Sequence, residues 1–396
     1  MKILVLNAGS SSLKCQYFID EESIASVTIE RIREKESYTV LTYANEQREH
    51  TSTIKDHYEA FETLFSLLKE SHIITDVTEL NAVGHRVVHG GPYFSRPTLI
   101  NTEVIEQIRS LIPLAPLHNP SNLEGIEVIA KAYPALKQVA VFDTAFHQTM
   151  PEYAARYPLP YDLYEEAHVR RYGFHGTSHA YVAKEAAKML QQPLETLNLI
   201  TLHLGNGASA AAIKGGRSID TSMGMTPLEG LMMGSRSGDI DPAIIPYLVQ
   251  TQEMDVEAVD AMLNKKSGLK GVCGNNDMRK IIEKINGGDD KSQLALEMYV
   301  YRIKKYIGAY ATSLGHVDAI IFTGGIGEHA DLIRKMVCKG MKQTFGMILD
   351  KEKNRSVSGE KSAIHNPESR IDLLVIPTNE ELEIARQTKE VISRLS

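Results

Sequence analysis

Two stretches of the chain share one pattern: an apolar strand, a tight loop of small residues, and a second strand. The first reads ILVLNAGSSSLKCQYF at 3–18, and the second reads LITLHLGNGASAAAI at 199–213. Two extended runs around such a loop predict a β-hairpin. The identity between the stretches is low, but the shared pattern indicates two related halves, each presenting a small-residue hairpin loop.

Outside the hairpins, strand-like and helix-like segments alternate, which favours an α/β fold. Some segments have apolar residues at helical spacing, and others are short apolar runs typical of buried strands. The further predicted strands are 138–142, 319–322 and 373–376. The predicted helices are 55–70, 180–190, a long helix that ends near Gly315, 331–340, and a final helix after Thr378.

Two of these helices carry capping signals. Thr177 or Ser178 is expected to cap the helix that runs through Ala180. Thr378 and Glu381 have the spacing of a capping box at the start of the final helix.

Composition excludes several classes of protein. The 396 residues are enough for two to three domains, and the net charge of −7 argues against dedicated nucleic-acid binding. No apolar run approaches the ~18 residues that span a bilayer, and the apolar start at 3–6 is too short for a signal-peptide core. The three cysteines form neither a disulfide framework nor a CxxC metal site, so a reducing cytoplasm is expected.

Three small-residue segments are candidate phosphate cradles, because they let backbone amides approach an anion closely. Two are the hairpin loops, the first of which is followed by Lys14. The third is TGGIG at 323–327, expected as a turn between a strand and a helix whose start favours phosphate. The alternative is that all three are simply tight turns. A Walker A motif is absent, and GxGxxA at 205–210 is a weak dinucleotide signal without the expected helix or acid.

Charged residues beside glycines form a second group of candidates. Arg86 lies in HRVVHGG at 85–91 and Arg236 in SRSGD at 235–239, where guanidinium groups could clamp an anion or form structural ion pairs. Asp143 ends a strand, where open α/β sheets hold ligands. The pairs His85/His89 and His175/His179 have i,i+4 spacing, but they lack the glutamate of a zinc protease site, so hydrogen-bonding roles are favoured over metal binding.

Taken together, eight motifs resemble the acetate kinase (acetokinase) family, in the family's order and over nearly the whole chain. They are NAGSSSLK at 7–14, HRVVHGG at 85–91, FDTAFH at 142–147, GFHGTSH at 173–179, HLGNGAS at 203–209, DTSMGMTPLEGLMMGSRSGDIDP at 220–242, FTGGIGEH at 322–329 and NEE at 379–381. The block at 220–242 is the most specific of them. The glycine motif ends in His329, where the family often has asparagine.

The resemblance implies a fold of two related, ribonuclease H-like and actin-like α/β domains with a nucleotide cleft between them. The implied domains are 1–148 completed by a C-terminal helix 381–396, and 149–380, which binds nucleotide and dimerises. The implied reaction is reversible, direct in-line transfer of the γ-phosphoryl group of ATP to acetate, giving acetyl phosphate and ADP. It requires Mg²⁺, with Mn²⁺ as an alternative, and the enzyme is a cytoplasmic homodimer without nucleic-acid or membrane partners.

The resemblance also implies roles for individual residues. The catalytic group is Arg86, Asp143, His175 and Arg236, with Arg86 also binding substrate. The pocket for the substrate methyl group is Val88, Leu117, Phe174 and Pro227. The ATP contacts are Ser10, Ser12, Lys14, His203, Leu204, Gly205, Asn206, Gly207, Asp277, Met278, Arg279, Gly325, Ile326, Gly327, Glu328 and His329, and the Mg²⁺ ligands are Asn7 and Glu380.

Elementary chemistry limits the role of Asp143. A carboxylate nucleophile has a pKa near about 4–5 and is already ionised at neutral pH, so it needs no general base. Asp143 is therefore expected to orient an arginine or the water shell of the metal. Two other classes stay open: a nucleotide-operated chaperone ATPase on the same fold, and a dinucleotide oxidoreductase. Within the kinases, propionate or butyrate could replace acetate.

Overall fold

The computed structural model describes residues 1–395, which divide into two units. Unit 1 comprises residues 1–146 with the C-terminal segment from Asn379, and unit 2 comprises residues 147–378. The domain boundaries expected from the sequence, after 148 and after 380, lie two residues further along the chain in each case.

Residues 1–395 contain fourteen strands and sixteen α-helices. The strands are β1 (Lys2–Ala8), β2 (Ser12–Ile19), β3 (Glu22–Glu30), β4 (Ser37–Tyr43), β5 (Glu46–Ser52), β6 (Ala82–Val87), β7 (Thr98–Leu99), β8 (Gln138–Phe142), β9 (Asn198–Leu204), β10 (Ala208–Lys214), β11 (Arg217–Thr221), β12 (Ala319–Thr323), β13 (Ser362–Ala363) and β14 (Asp372–Val375). The helices are α1 (His57–Glu70), α2 (Thr102–Ser110), α3 (Asn119–Ala132), α4 (Glu152–Ala155), α5 (Tyr161–Glu165), α6 (Gly176–Leu190), α7 (Ile244–Thr251), α8 (Val256–Lys265), α9 (Gly268–Cys273), α10 (Met278–Asn286), α11 (Asp290–Leu314), α12 (Gly324–His329), α13 (Asp331–Cys338), α14 (Lys342–Phe345), α15 (Lys351–Arg355) and α16 (Glu380–Ser393).

Unit 1 is built on an eight-stranded sheet in the order β5-β4-β3-β2-β1-β6-β8-β7. Strand β1 is apolar on both faces because helices cover both. Leu4 and Leu6 pack with Phe61 of α1, whereas the alternate residues Ile3 and Val5 pack with Ile384 of α16. This burial on both faces explains why the first strand is a continuous apolar run.

A glycine in β6 allows α16 to lie close to this sheet. A Cβ atom on Gly84 would lie 2.9 Å from Cγ2 of Ile384 and would also collide with Oγ1 of Thr388. The C-terminal helix therefore completes the core of unit 1.

Unit 2 repeats the central pattern of unit 1 in a six-stranded sheet with the order β11-β10-β9-β12-β14-β13. In each unit the first strand pairs antiparallel with the second strand and parallel with a later strand, and that later strand pairs parallel with one further strand. In this order the strands are β1, β2, β6 and β8 in unit 1 and β9, β10, β12 and β14 in unit 2. The prediction of two hairpins in two related halves is confirmed.

Three local predictions are wrong. Helix α6 begins at Gly176 with His175 as its N-cap, so Thr177 and Ser178 lie inside the helix. Helix α16 is capped by Asn379, whose side chain accepts from the amide of Leu382 at 2.9 Å. In both places a tertiary contact takes the hydroxyl group that was expected to cap, since Oγ of Ser178 lies 2.7 Å from Oγ1 of Thr378. The third concerns the glycine motif, which forms helix α12 rather than a turn.

Within residues 1–395, no helix is long and apolar enough to cross a membrane.

Candidate active site

The hairpin loop of unit 1 presents polar groups on a tight turn, in which a side chain at Gly9 would require the hydroxyl of Ser12 to move. The amide of Gly9 donates to the carbonyl of Ser12 at 2.8 Å, and a Cβ atom on Gly9 would lie 2.8 Å from Oγ of Ser12. Asn7 and Lys14 pair across the hairpin. The side chains of Ser10 and Lys14 are exposed, and Asn7 and Ser12 are half-buried. The loop therefore offers hydroxyl groups and one ammonium group to solvent.

Hydrogen bonds from His57 and Asn122 fix the backbone of this loop. Neither residue was predicted from the sequence. Nε2 of His57 lies 2.7 Å from the carbonyl oxygen of Gly9, and Nδ2 of Asn122 donates to the carbonyl of Ala8 at 2.7 Å. His57 is fully buried, and its Nδ1 lies 3.2 Å from a carboxylate oxygen of Glu124. Both are buried polar residues near the start of a helix, and the sequence gives no signal of the loop that they contact.

Arg86 and Asp143 stand at the carboxyl ends of neighbouring parallel strands, β6 and β8, where such sheets hold ligands. Nη2 of Arg86 donates to Oδ2 of Asp143, and Nε of Arg86 lies 3.9 Å from Oε2 of Glu380. The Arg86 side chain is 21% exposed and that of Asp143 only 2%. Two carboxylates therefore balance the charge of this arginine.

The other oxygen of the Asp143 carboxylate, Oδ1, is buried and has no hydrogen-bond partner among residues 1–395. Burial raises the pKa of Asp143, the negative charge of Glu380 adds to the rise, and the positive charge of Arg86 opposes it. An unpartnered buried oxygen requires a proton, a water or an ion.

The residues around Asp143 fit a bound Mg²⁺ ion. Magnesium prefers oxygen ligands and is commonly held by one or two carboxylates together with water and substrate phosphates. Asn7 and Glu380, the expected ligands, carry such oxygens, and Oδ1 of Asp143 adds an acceptor that a metal-bound water could use. Residues 1–395 contain no cluster of three or more histidine, cysteine, aspartate or glutamate side chains that could hold a metal without substrate.

Three further side chains fix the backbone that follows Arg86. Oδ1 of Asn122 accepts from the amide of Val88 at 3.0 Å, and Oδ1 of Asn119 accepts from the amide of His89 at 3.1 Å. Oγ1 of Thr144 accepts from the amide of Gly90 at 3.0 Å. The sequence analysis missed Asn119 and Thr144 as well as Asn122. Their spacing from the HRVVHGG motif carries no local pattern.

The residues expected to line the methyl pocket lie in both units. In unit 1, Val88 is buried and Leu117 is 68% exposed. In unit 2, Phe174 is buried, and Pro227 contributes its carbonyl oxygen to Arg236 at 3.4 Å. The convergence of all four on one substrate group stays a prediction.

The hairpin loop of unit 2 brings together two of the expected catalytic residues. A Cβ atom on Gly207 would lie 3.5 Å from Cε1 of His175, and 3.6 Å from both Nε2 of His175 and Nη1 of Arg236. The loop itself closes through a 3.0 Å hydrogen bond from the amide of Gly205 to the carbonyl of Gly207. A guanidinium group and an imidazole edge therefore face the same glycine.

Arg236 forms no ion pair with any residue in the described range 1–395. Its Nη1 lies 3.4 Å from the carbonyl oxygen of Pro227 and 3.9 Å from the sulfur of Met233. Burial lowers the pKa of Arg236, because removing the guanidinium from water disfavours its charge. A desolvated cation with only neutral partners is suited to receive an anion.

His175 has a left-handed backbone conformation, with φ of 54°, at the start of α6. Its Nδ1 lies 2.9 Å from Oγ of Ser209, and its ring stacks on that of His203 with centroids 4.2 Å apart. Nδ1 of His203 lies 2.8 Å from Oγ of Ser178. These contacts orient the imidazole edge that faces Gly207.

Asn206 joins the same hairpin loop to two other segments. Its carbonyl oxygen accepts from the amide of Gly234 at 2.9 Å, and its Oδ1 accepts from Nδ2 of Asn276 at 3.0 Å. Asn276 precedes the expected ATP contacts 277–279. Within that segment, hydrogen bonds from Arg279 lower the pKa of Asp277 to about 2. Met278 is buried, so its predicted contact with a nucleotide is not supported by exposure of its side chain.

The glycine motif of α12 is organised differently from the expectation. Oε1 of Glu328 accepts from the amide of Gly324 at 2.8 Å and from the amide of Thr378 at 3.1 Å. The first amide of the helix is therefore already occupied. Gly325 and His329 are exposed, Ile326 is half-buried, and Gly327 is buried. Exposed backbone at Gly325 is the surface that this motif offers to a ligand.

Comparisons with known proteins agree on one family. The model of the acetokinase family matches residues 2–386. The chain is 85% identical over 396 residues, the full length of both, to the acetate kinase of Sulfurovum sp. (strain NBC37-1). The crystal structure of Porphyromonas gingivalis acetate kinase matches with a TM-score of 0.95 at 44% identity, covering 99% of each chain. A propionate kinase from Francisella tularensis subsp. tularensis SCHU S4 matches with a TM-score of 0.91 at 44% identity, covering 98% of each.

Proposed function

The chain belongs to the acetokinase family, and from this premise we propose how its residues transfer the γ-phosphoryl group of ATP to acetate. The enzyme is a phosphotransferase whose acceptor is a carboxyl group, and the products are acetyl phosphate and ADP. The observation that carries the proposal is the pair of donors at Gly207. Nη1 of Arg236, without a carboxylate partner, and Nε2 of His175 lie equally far from the Cβ position of that residue.

In unit 2, Arg236 and His175 are assigned to the transferring phosphoryl group. Phosphoryl transfer needs little covalent assistance and depends on positioning and on cations that match the charge of the transition state. Preorganised donors in a partly desolvated site serve this purpose, because they need not reorganise during the reaction. The burial of Arg236 and the contacts that orient His175 support this assignment.

In unit 1, Arg86 is assigned to the acetate carboxylate. Asp143 holds the guanidinium from one side, and Asn119 and Asn122 fix the backbone that follows it. Acetate is ionised at neutral pH and attacks without losing a proton. Asp143 therefore acts as an orienting group rather than as a general base. Val88, Leu117, Phe174 and Pro227 are assigned to the methyl group.

Asn7 and Glu380 would hold Mg²⁺, or Mn²⁺ in its place, with Oδ1 of Asp143 accepting from its water shell. The ion would offset the negative charge of the phosphate oxygens. The remaining nucleotide contacts are assigned to backbone and side-chain groups in four segments. These contacts are Ser10, Ser12, Lys14, His203, Leu204, Gly205, Asn206, Gly207, Asp277, Met278, Arg279, Gly325, Ile326, Gly327, Glu328 and His329.

The direct test is the formation of acyl phosphate from ATP and a short carboxylic acid, trapped as the hydroxamate with hydroxylamine. Formate, acetate, propionate and butyrate are compared at equal concentration. Acetate is expected to give the highest kcat/KM and propionate the next. ATP hydrolysis without any trapped acyl phosphate would instead favour a chaperone-type ATPase, and binding of a nicotinamide dinucleotide would favour an oxidoreductase.

We further propose a cytoplasmic homodimer. Unit 2 exposes several large aromatic side chains, among them Tyr153, Tyr161, Tyr247 and Tyr301, and closed two-fold dimers are the commonest oligomers. Cys15, Cys273 and Cys338 are all free and buried, which suits a reducing compartment. Light scattering is expected to give the mass of two chains at micromolar concentration, and the mass of one chain would contradict the dimer.

A further inference from the structure

A chain of buried hydrogen bonds lies behind His175. Oγ of Ser209 lies 2.9 Å from Nδ1 of His175 and 2.7 Å from Nε2 of His179. Nδ1 of His179 in turn lies 2.7 Å from Oγ1 of Thr201. Thr201, His179 and Ser209 are all fully buried. One serine hydroxyl therefore joins two imidazole rings, and only the ring of His175 reaches the space beside Gly207.

The number of protons in this chain is limited. Burial, together with the nearby His147 and His203, holds the pKa of His179 well below its usual value. A neutral imidazole has one N–H, and a serine hydroxyl has one proton to donate. Ser209 can therefore donate to only one of the two rings, and its choice determines where the proton of His175 resides.

The neighbouring His147 illustrates how such a contact sets a tautomer. Its Nε2 lies 3.0 Å from the carbonyl oxygen of Phe174, which can only accept, so Nε2 carries the proton. Its Nδ1, 2.8 Å from Oγ of Ser218, then accepts from that hydroxyl. Burial lowers the pKa of His147 to about 4, so the ring is neutral at pH 7.

The hydrogen bonds from Thr201 to His175 can run in either direction, and the two directions place the proton of His175 on different ring nitrogens. If Thr201 donates to His179 and His179 donates to Ser209, then Ser209 donates to Nδ1 of His175 and leaves an N–H on Nε2. In the reverse direction, neutral His175 carries its proton on Nδ1 and presents a lone pair on Nε2. Nε2 faces the same glycine as the unpaired guanidinium of Arg236. A lone pair there would repel the anion that Arg236 attracts.

We propose that Ser209 and His179 are positioning residues that keep the proton of His175 on Nε2, making it a hydrogen-bond donor beside Arg236. The identity of the acceptor, a phosphoryl oxygen, rests on the proposed function. The choice between the two tautomers rests on the anion site proposed at Arg236, but the tautomer can be measured on the protein without substrate, so its test does not depend on activity.

The tautomer can be read directly by NMR on protein labelled with ¹⁵N-histidine, using long-range correlations between ring nitrogens and ring protons. His175 is assigned by the loss of its signals in His175→Gln. At a pH at which its own ¹⁵N shifts show the His175 ring to be neutral, the wild-type protein is expected to carry the proton of His175 on Nε2 only, and Ser209→Ala to show a mixture of tautomers. A wild-type His175 protonated on Nδ1 alone would overturn the proposal, whatever the activity of the enzyme.

Kinetics test whether the tautomer matters for turnover. Ser209→Ala is expected to lower kcat by about tenfold, the size of losing one oriented hydrogen bond, with KM for ATP and acetate within about twofold. Ser209→Thr keeps the hydroxyl and should retain most of kcat. Ser292→Ala is the matched control, because Ser292 is equally buried but lies on α11.

A double-mutant cycle separates positioning of His175 from a general structural effect. In a His175→Ala background, Ser209→Ala should change kcat by less than about twofold, because the group that it orients is gone. An equal loss in both backgrounds would overturn the proposal. If Ser209→Ala does not fold, the NMR result on the wild-type protein and the kcat of Ser209→Thr decide the question.

Discussion

Arg86 of unit 1 and Arg236 of unit 2 both lie in glycine-flanked segments, but their surroundings differ. Arg86 donates to the buried carboxylate of Asp143 and lies 3.9 Å from Glu380. Within residues 1–395, the guanidinium of Arg236 has a carbonyl oxygen and a thioether sulfur as its hydrogen-bond partners and forms no ion pair. The charge of Arg86 is thus balanced by carboxylates within the protein, whereas Arg236 has no carboxylate partner among residues 1–395. Two arginines with the same sequence setting have different electrostatic roles.

The two hairpin loops diverge in the same way, although the strands around them have the same order. The loop of unit 1 is held from behind by His57 and Asn122 and exposes polar side chains. The loop of unit 2 has glycine at position 207, where His175 and Arg236 both approach. The same strand order therefore supports one loop with exposed polar side chains and one loop that lies beside His175 and Arg236.

If Arg236 is the open cation, its loss should abolish most of the activity. Arg236→Ala is expected to lower kcat by about 100-fold or more, as for other preorganised charge donors. Arg236→Lys should recover only part of this, because an ammonium group lacks the planar fork of arginine. Steady-state kinetics on the purified, folded variants measure the effect. Near-normal turnover of Arg236→Ala would place the anion site elsewhere.

As the pH falls, the stability of unit 2 should decrease before that of unit 1. Burial lowers the pKa of His147 to about 4, so the folded state stays neutral while the unfolded state binds a proton below about 6.5. Stability from this group is complete above pH 6.5 and is lost as the pH falls towards 4, by about 3 kcal/mol at most. His179 adds a loss of the same sign.

In unit 1, burial also lowers the pKa of His85, but the raised pKa of Asp143 has the opposite effect on stability in acid. Because burial raises the pKa of Asp143, the folded state binds a proton there before the unfolded state does, and this offsets the acid loss. Hydrogen exchange at pH 7 and pH 5, corrected for intrinsic rates, should show protection falling first in 147–378. Earlier loss of protection in unit 1 would contradict this assignment of the titrating groups.

Asp143→Asn tests the ion pair between Arg86 and Asp143 by changing the carboxylate instead of the arginine. The substitution removes the charge that holds Arg86, and it removes the carboxylate from the proposed Mg²⁺ environment. Turnover is expected to fall about 10–100-fold, the usual range for residues that orient a metal site, with a higher Mg²⁺ requirement. Kinetics across Mg²⁺ concentration and pH provide the measurement. Recovery by raising the pH alone, with unchanged Mg²⁺ dependence, would instead support a general base.

The smallest change is expected at the apolar side of the site. Val88→Ala should improve kcat/KM for propionate relative to acetate by about tenfold, within the 1–3 kcal/mol that one methylene is worth in a pocket. Val87→Ala is the matched control, because Val87 is the preceding residue and packs in the unit 1 core with Phe94 and Ile126. An unchanged ratio in Val88→Ala would assign Val88 to the core as well.

Local patterns were sufficient to predict the hairpins, the long helix that ends at Gly315, and the buried strand that ends before Asp143. Each of these depends on apolar periodicity or on a conformationally special glycine within a few residues. The helix caps were not predictable in this way. Hydroxyl residues stand at the start of both helices, but α6 has no side-chain cap and α16 is capped by Asn379 instead of Thr378.

The supporting residues of the site escaped prediction for a related reason. Asn122 lies 114 residues from Ala8, whose carbonyl it binds, and 34 residues from Val88, whose amide it binds. No sequence pattern records such a contact. The motif resemblance could name Arg86 and Arg236 alike, but only the structure distinguishes the arginine that has carboxylate partners from the one that has none.

That distinction is tested most directly by the free energy of unfolding of Arg86→Ala and Arg236→Ala, measured side by side in urea. Removing Arg86 leaves Asp143 buried without its partner, which should destabilise the protein by about 3 kcal/mol, the lower end of the range for a broken buried pair because the Arg86 side chain is 21% exposed. Removing Arg236 leaves no buried carboxylate behind and removes a desolvated cation, so stability should stay the same or rise. Equal destabilisation by the two substitutions would contradict the account of one balanced and one open arginine.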